Sequence, residues 1–447
     1  MDRREFLYSG FAGLALPLSG VFVGHRTKPK RVVQIGCGWY GKTVLLRLLQ
    51  VAPVQIVGLC DVDRRMLEGA ADIVSKRLKT DKRPPLYTDF RTMLQEQEPD
   101  IAIVSTPDHW HCLAAIAAMK HGADVYVEKP ISRDVLEGRS MVAAARKYGR
   151  VVQVNTQRRS TPHIVEARDR VLREGLLGKV GHVEVYCYYH MRYRGNPPDQ
   201  TPPDWIDWDM WCGPAPFRPY NPALHPRRWR SFGEYCNGIV GDMCIHMLDM
   251  VRWMLDLGWP RRISSSGGIY VEKNSIANVP DTQTAVFEYD DLTVVWQHRT
   301  WGSPIDPDYP WAATFYGEKG TLKVSVHRYD FIPRGRGKPI HGDVVYELDQ
   351  YPEDRTEPDL ERHVAPAIRR HLRNFLDCVE SRQKPVADIE QGHISSACCI
   401  LANEAVEHGL TLELDPHSGR IVNVEDEEPI IKRPYRKPWV HPTPEAV

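Results

Sequence analysis

Polar side chains at helical spacing interrupt one strongly apolar segment, residues 241–253 (GDMCIHMLDMVRW). They recur every three or four residues, on one stripe of a helix: Asp242, His246, Asp249 and Trp253. A buried helix with such a stripe must satisfy these groups with hydrogen bonds or line a cavity. If they line a cavity, His246 and Asp242 are candidates for acid–base chemistry. Alternatively, Asp242 caps the helix and His246 is a hydrogen-bonded core residue. Asp249 is expected to be structural.

A second candidate site is a glycine-rich turn that follows the first apolar run. The hexapeptide Gly36-Cys37-Gly38-Trp39-Tyr40-Gly41 has the G-x-G-x-x-G pattern of a dinucleotide-binding turn. Gly36 permits the tight turn, Gly38 lets the backbone approach a pyrophosphate, and Gly41 allows close packing of helix on strand. The N-terminus of the following helix would offer free N–H groups to the phosphates.

An acidic residue ends the next apolar run and indicates which dinucleotide is bound. Asp61 lies 20 residues after Gly41, where a carboxylate can accept hydrogen bonds from both ribose hydroxyls. The same carboxylate would repel a 2′-phosphate, so the sequence favours NAD over NADP. Arg64 and Arg65 follow closely and could weaken this preference, but we interpret them as the solvated start of a helix.

Short β-branched runs alternate with amphipathic stretches through residues 29–156, which predicts a parallel sheet built from βαβ units. The predicted strands are Val32–Ile35, Val54–Leu59, a short one near Leu86–Tyr87, Ile101–Val104, Asp124–Val127 and Val151–Val154. Residues 157–429 instead show period-two runs and turn signals at Asp290-Asp291 and Gly317–Gly320, which predict hairpins. The fold class is therefore α/β, with an N-terminal Rossmann domain and a C-terminal α+β domain that contains an antiparallel sheet.

Two loops at predicted strand ends carry further motifs. One reads Thr106-Pro107-Asp108-His109-Trp110-His111, and the other reads Glu128-Lys129-Pro130. Together with the glycine turn and the D-x-x-x-H of the apolar helix, T-P-x-x-x-H and E-K-P resemble the Gfo/Idh/MocA family. Glucose–fructose oxidoreductase and inositol dehydrogenase are its namesakes. The resemblance extends over nearly the whole chain.

The family resemblance implies a function and a set of site residues. It implies an NAD-dependent oxidoreductase that moves a hydride between the nicotinamide and a hydroxyl of a sugar, inositol or related polyol. Lys129, Asp242 and His246 would be both catalytic and substrate-binding, with a Lys129–Pro130 peptide that is cis and an open, mostly antiparallel second sheet. The residues expected to bind the cofactor are Gly36, Gly38, Trp39, Tyr40, Gly41, Asp61, Thr106, Pro107, His109, His111, Glu128, Lys129, Gln157 and Arg158.

Other functions remain open beside this one. An NAD-dependent glycosidase would oxidise the sugar transiently and eliminate the aglycone, but the E-K-P motif favours plain redox chemistry. A non-catalytic, NAD-holding sugar sensor would not need Lys129, Asp242 and His246. Aromatic residues cluster between the second-domain strands and the apolar helix, either as faces for a sugar ring or as ordinary packing. They are Tyr186, Tyr188, Tyr189, Tyr193, Trp205, Trp208, Trp211 and Trp229.

The first residues resemble an export signal. Arg3-Arg4 precede an uncharged run from Leu7 to Gly24, as in a Tat signal, and residues 1–28 are interpreted as signal and linker. A membrane helix is the alternative, although Pro17 and several glycines disfavour it. The expected partner is then the Tat export machinery and the expected location is periplasmic, with membrane anchoring if the signal is not cleaved.

Composition excludes several further classes. Lys plus Arg equals Asp plus Glu at 58 each, so no net charge attracts nucleic acid. Ten cysteines occur without a C-x-x-C pair, so no metal site is predicted, and Cys60, Cys398 and Cys399 are expected to be buried free thiols. The Pro-rich segment 430–447 is interpreted as an arm over its own domain or a neighbouring subunit. A homo-oligomer, dimer or tetramer, is expected.

Overall fold

The computed structural model describes residues 28–189, 192–356 and 361–447. The segment on which the Tat prediction depends therefore lies outside the described residues. Within the described ranges, no helix is both long enough and apolar enough to cross a membrane. All ten cysteines are described, and each is a buried free thiol, as predicted for Cys60, Cys398 and Cys399.

The first sheet has six parallel strands in the order β3-β2-β1-β4-β5-β6. The strands are β1 (Arg31–Ile35), β2 (Gln55–Cys60), β3 (Leu86–Tyr87), β4 (Ile101–Val104), β5 (Asp124–Val127) and β6 (Val152–Val154). The helices between them are α1 (Trp39–Val51), α2 (Arg64–Leu78), α3 (Phe90–Gln97), α4 (Asp108–Lys120) and α5 (Val135–Lys147). This is the doubly wound dinucleotide-binding topology, whose ligand crevice opens at the carboxyl ends of β1 and β4. The predicted strands are confirmed to within a residue or two.

The second sheet has nine strands in the order β14-β13-β12-β11-β7-β10-β9-β8-β15. They are β7 (Val180–Cys187), β8 (Arg262–Gly268), β9 (Thr282–Glu288), β10 (Thr293–Arg299), β11 (Trp311–Gly317), β12 (Gly320–Ser325), β13 (Arg328–Pro333), β14 (Ile340–Asp343) and β15 (Leu412–Glu413). Both predicted hairpins are present, as β9–β10 and β11–β12. The central pair β7–β10 is parallel, so the sheet is mixed but mostly antiparallel.

Most helices after α5 pack on one face of this second sheet, and the others return toward the first domain. They are α6 (Pro162–Ala167), α7 (Trp208–Cys212), α8 (Ile245–Met254), α9 (Ala365–Ser381), α10 (Ile389–His408) and α11 (Glu428–Ile431). The residues of α9 fall in the range 157–429 that is predicted to form the second domain. The helix packs on α1 of the first domain, where Ile368, Leu372 and Phe375 share a core with Val44 and Leu48. The chain therefore returns to complete the first domain after building the sheet.

The segment between β7 and α8 also returns to the first domain. We call residues 192–239 the covering segment. Residues at the start of α2 bind it through the backbone, since Arg64 N donates to Trp205 O at 3.0 Å and Asp207 N donates to Val62 O at 3.0 Å. His225 Nε2 and Asp63 Oδ2 lie 2.7 Å apart. The covering segment is thus fixed above the carboxyl end of the first sheet.

The C-terminal arm lies across its own chain. Arg433 Nη2 donates to Glu137 Oε1 at 2.8 Å, and Arg436 Nη1 donates to Asp209 Oδ1 at 2.6 Å. Trp439 packs edge-on against Trp110 with ring centroids 4.8 Å apart. The arm is predicted to lie over its own chain or over a neighbouring subunit. The described residues show that it contacts the first domain of its own chain.

Candidate active site

The glycine turn lies between β1 and α1 and forms one wall of a cavity. Gly36 has φ +90°, and a Cβ there would meet the Ser105 backbone at 2.5 Å. A Cβ on Gly41 would lie 2.1 Å from the carbonyl oxygen of Gly36. Gly38 instead faces open space, since a Cβ added there would meet nothing within 4 Å. The turn is therefore close-packed behind and open in front, as a cradle for a pyrophosphate must be.

Asp61 borders the same cavity, which has a volume of about 110 Å³. Its carboxylate accepts from Cys37 N at 2.7 Å and from Asp63 N at 2.9 Å, which fixes its direction. Burial raises the pKa of Asp61, against the lowering effect of these two backbone hydrogen bonds. The carboxylate is thus held beside the space that the glycine turn leaves open.

The two arginines that follow Asp61 are engaged elsewhere. Arg65 forms an ion pair with Asp63 at 2.9 Å, and its guanidinium stacks 3.2 Å from the centroid of the Trp205 ring. Arg64 Nη2 donates to Asp204 O at 2.8 Å. Both side chains therefore anchor the covering segment, and neither lines the cavity beside Asp61. Both residues begin α2 and are exposed, so the prediction of a solvated helix start is confirmed.

A larger cavity, of about 660 Å³, lies beside the first and contains the predicted catalytic residues. Lys129 follows β5, and its Nζ donates to both the carbonyl oxygen and Oδ1 of Asp242, each at 2.7 Å. Asp242 lies on a π turn, Val240–Cys244, that leads into α8. Such turns occur frequently at functional sites. The Lys129–Pro130 peptide is cis, as the family resemblance implies.

The positive charge of Lys129 stabilises the ionised form of Asp242. Burial by itself would raise the pKa of Asp242, but Lys129 and then Arg230 outweigh it and hold that pKa below its usual range. Arg230 Nε lies 3.5 Å from Asp242 Oδ1. Asp242 is thus a carboxylate at neutral pH, able to orient the ammonium group of Lys129.

His246 lines the larger cavity one helical turn after Asp242. Its side chain is buried, and Nδ1 has no hydrogen-bond partner among the described residues. Burial, followed by the charges of Lys129 and Arg158, lowers the pKa of His246 well below its usual value. The imidazole is therefore neutral at neutral pH and can accept a proton. Of the two interpretations of the stripe, a cavity lining describes Asp242 and His246.

The rest of the stripe is structural. Asp249 is fully buried and forms a bidentate ion pair with Arg159, with both distances 2.7 Å. It also accepts from Ser395 Oγ at 2.8 Å. Trp253 packs under the Arg168 guanidinium, 4.2 Å from the ring centroid. These contacts tie α8 to the crossover after β6 and to α10.

Asp108 is a site residue that the sequence analysis does not single out. It lines the larger cavity, is 4% exposed, and accepts from Asn237 N at 3.3 Å. Burial raises its pKa to about 7, against the lowering effect of Arg230 and Lys129. Because Asp108 begins α4, its sequence position resembles an ordinary helix start.

Trp311 is a second site residue outside the predicted set. It begins β11, and its ring lies edge-on to His246 with ring centroids 5.5 Å apart. Trp208 and Trp211 of the aromatic cluster instead stack on each other at 4.4 Å within the covering segment. Packing is therefore the better interpretation for Trp208, whereas Trp211 also lines the smaller cavity and Trp229 lines both.

The two histidines of the T-P-x-x-x-H loop lie in different surroundings. His109 is buried among aromatic rings, with Nε2 2.9 Å from Trp211 O, and lines neither described cavity. Burial lowers its pKa to about 3. The ring nitrogens of His111 lie 2.7 Å from Pro130 O and 2.8 Å from Thr106 O, so this residue joins the two motif loops beside the cavity. Their predicted contacts with the cofactor stay predictions.

The other residues predicted to bind the cofactor border the cavities. Gln157 Nε2 donates to Tyr40 Oη at 2.8 Å, which joins the glycine turn to the crossover after β6. Glu128 accepts from Asn155 Nδ2 at 2.7 Å, and burial raises its pKa to about 8. The remaining residues of this set that line a cavity are Trp39, Tyr40, Thr106, Pro107, Lys129 and Arg158.

These residues fit a bound NAD. The open face of Gly38 would receive the pyrophosphate, and Asp61 would bind the adenosine ribose. Thr106 Oγ1 and Gln157 Oε1 are buried without hydrogen-bond partners among the described residues. NAD supplies a hydride acceptor or donor when bound. The larger cavity then has the reaction groups Lys129 and His246 in its wall.

Comparisons with known proteins agree with this description. Residues 30–156 match a family model described as an oxidoreductase family with an NAD-binding Rossmann fold, and residues 206–414 match its C-terminal alpha/beta domain. The chain is 22% identical to scyllo-inositol 2-dehydrogenase (NAD(+)) of Bacillus subtilis over 351 residues, which cover 78% of this chain and 86% of that protein.

Two further matches either cover less of the chain or have a lower sequence identity. Glycosyl hydrolase family 109 protein 1 of Akkermansia muciniphila is 30% identical over 175 residues, which cover only 36% of each chain. In structure, an aldose-aldose oxidoreductase from Caulobacter crescentus, complexed with glycerol, superposes with a TM-score of 0.64 at 16% identity. That superposition covers 87% of this chain and 100% of that one.

Proposed function

The chain belongs to the Gfo/Idh/MocA family of NAD-binding oxidoreductases, and we propose that it transfers a hydride between bound NAD and a hydroxyl of a sugar, inositol or related polyol. The observation that carries the proposal is the contact of Lys129 with Asp242 beside the unpartnered His246, in the wall of one cavity. The neighbouring glycine turn and Asp61 support NAD as the cofactor.

The reaction follows from the positions of these groups. A substrate carbinol would lose its C–H hydride to the cofactor and its O–H proton to the neutral imidazole of His246, giving a ketone. Lys129 would donate to the same oxygen and stabilise the negative charge that develops there. Asp242 would hold the Lys129 ammonium in place through their 2.7 Å contact.

Released cofactor and reduction by sugars test the proposal together. Purified protein would be denatured and its nicotinamide identified, and native protein would be mixed with sugars and inositols while NADH absorbance is followed. We expect NAD, and reduction by at least one polyol. Tighter binding of NADP than NAD to refolded apoprotein, or no reduction by any polyol, would contradict the proposal.

A transient-oxidation glycosidase is the second candidate, and the match to glycosyl hydrolase family 109 supports it. Such an enzyme would cleave 4-nitrophenyl α-N-acetylgalactosaminide without net consumption of NAD. Release of nitrophenol at a rate that exceeds NADH accumulation would favour this function over plain dehydrogenation.

We further propose that the protein is exported as a folded holoprotein through the Tat machinery to the periplasm. The Arg3-Arg4 pair and the uncharged run after it support this. Replacing both arginines with lysine should leave the protein in the cytoplasmic fraction, whereas unchanged fractionation would contradict export through Tat.

We also propose a homo-oligomer. Large apolar side chains on the second sheet are exposed, with Tyr316 at 41% and Ile332 at 49%. Sedimentation of the purified protein would test this, and a monomer at micromolar concentration would contradict it.

A further inference from the structure

Arg158 is a buried charge without a hydrogen-bonded counterion among the described residues. Its side chain is 3% exposed and lines the larger cavity, and Nε and Nη1 have no hydrogen-bond partner among the described residues. Its guanidinium carbon lies 5.1 Å from the centroid of the Trp311 ring, a cation–π contact that leaves the N–H groups unsatisfied. A buried guanidinium without hydrogen bonds is costly, so the protein gains stability if a ligand supplies an acceptor.

The protein groups around Arg158 leave its Nε and Nη1 without an acceptor. Glu361 is the carboxylate whose charge acts on Arg158 among the described residues, but it acts at a distance, without a hydrogen bond to the guanidinium. His327 and His363 lie on this side of the cavity with ring centroids 4.7 Å apart, and burial lowers the pKa of both. The imidazoles are therefore neutral and supply no charge to Arg158.

Arg158 is also close to the predicted reaction centre. Its guanidinium and the His246 imidazole contact the same indole, that of Trp311, at 5.1 and 5.5 Å between group centres. Both groups therefore border the part of the larger cavity beside Trp311, where one substrate can contact both. An anion beside Arg158 would also offset the charge that lowers the pKa of His246, and would make the imidazole a stronger base.

We propose that Arg158 binds a carboxylate of the substrate, so that the polyol oxidised here is a sugar acid such as a hexuronate. This inference deepens the proposed function and rests on it. The planar guanidinium suits a carboxylate because two parallel N–H groups can donate to its two oxygens. The carboxylate takes no part in the redox step. The hydride and proton leave from a hydroxyl-bearing carbon elsewhere on the ring.

Matched pairs of ligands test this inference on the NAD-loaded protein. Calorimetric titration would compare D-glucuronate with D-glucose and D-galacturonate with D-galactose, and D-glucose 6-phosphate would serve as the phosphate arm. Loss of one partner from a buried charge pair costs about 2–5 kcal/mol, or at least about 30-fold in affinity. We expect at least one uronate to bind more tightly than its neutral sugar by at least about this factor.

Two variants separate a specific contact from general charge. Arg158→Gln should abolish the preference for the uronate, and Arg158→Lys should keep part of it. Arg228→Gln removes an equal charge from the exposed rim of the same cavity and should change the preference by no more than about 2-fold, as surface charges do.

Four results would overturn the inference. Two concern the ligands: no uronate binds more tightly than its neutral sugar, or the phosphate binds more tightly than either uronate. Two concern the variants: Arg158→Gln and Arg228→Gln lose the preference equally, or Arg158→Gln loses NAD, which would assign Arg158 to the cofactor. A uronate that binds through Arg158 but does not reduce NAD would contradict the proposed function, and it would support the contact of Arg158 with a carboxylate but not the oxidation of a uronate. Oxidation of neutral sugars without a preference for uronates would do the reverse.

Discussion

At the scale of single residues, the larger cavity combines a neutral base with a fixed ammonium group. His246 and Lys129 come from different domains, and Asp242 connects them by holding the Lys129 ammonium at 2.7 Å. Burial and the nearby charges of Lys129 and Arg158 keep His246 neutral, whereas a free imidazole in water is partly protonated near neutral pH. This difference from solution behaviour is typical of catalytic groups.

We predict that His246→Ala and Lys129→Ala each lower single-turnover hydride transfer by roughly 10²–10⁴-fold, the usual contribution of acid–base groups. Both variants should keep bound NAD, measured in the denatured supernatant. His298→Ala is the matched control, since His298 is equally buried but lies outside both cavities. Near wild-type turnover in the His246 variant would show that the imidazole is structural.

Asp108 gives a prediction about pH. Burial raises its pKa from 3.8 to about 7, so the folded protein binds a proton there more tightly than the unfolded chain. Its contribution to the free energy of unfolding is therefore present below about pH 4 and is lost as pH rises toward about 7. Asp108→Asn should make unfolding in denaturant less pH-dependent across that window. Asp291→Asn, at an exposed turn, should leave this pH dependence unchanged. If the free energy of unfolding changes equally with pH in the wild type and in both variants, the raised pKa of Asp108 is contradicted.

At the scale of elements, the covering segment encloses the adenosine end of the cofactor site. Its His225 contacts Asp63 at the start of α2, and both His225 and Trp211 line the smaller cavity. Release of NAD would require these contacts to open. The cofactor is therefore expected to stay bound through purification.

We predict that His225→Ala speeds the loss of NAD during dialysis by about 10-fold, since a hydrogen bond to a charged group contributes about 1.5–3 kcal/mol. Arg218→Gln is the control, because that residue pairs with Glu234 inside the covering segment and does not reach the first domain. Equal cofactor loss from wild type and the His225 variant would show that the segment does not retain NAD.

Local patterns predict the elements that carry motifs, and long-range packing determines the rest. The glycine turn, Lys129 and the Asp242–His246 pair can be identified because each motif adjoins a strand or helix with a clear period. Trp311 and α9 cannot be placed in this way, since their contacts with α8 and α1 join residues far apart in the chain. His109 matches a motif, yet aromatic neighbours from the covering segment surround it.

At the scale of the whole molecule, the chain passes between the two domains more than once. The C-terminal arm returns to α5, where Arg433 pairs with the fully buried Glu137 at 2.8 Å. This contact fixes α5 against the last residues of the chain. It also lies close to the cis-peptide loop that carries Lys129, since Arg133 N donates to Glu137 Oε2 at 2.6 Å.

We predict that Arg433→Ala lowers the free energy of unfolding by about 3–5 kcal/mol, because it leaves a buried carboxylate without its partner. The double variant Arg433→Ala/Glu137→Gln should recover part of this loss. Arg436→Ala, whose partner Asp209 is exposed, should cost about 1 kcal/mol or less. Equal destabilisation by Arg433→Ala and Arg436→Ala would contradict the role of the buried pair.

Transfer of a deuterium label tests the central proposal most directly. Holoprotein would be incubated with carbon-deuterated polyols and uronates. The mass of the nicotinamide cofactor released by denaturation would then be measured by mass spectrometry. Hydride transfer in this cavity predicts a reduced cofactor that is heavier by one deuterium in wild type and unlabelled cofactor in His246→Ala. Unlabelled cofactor from the wild-type protein with every deuterated substrate would contradict the proposal.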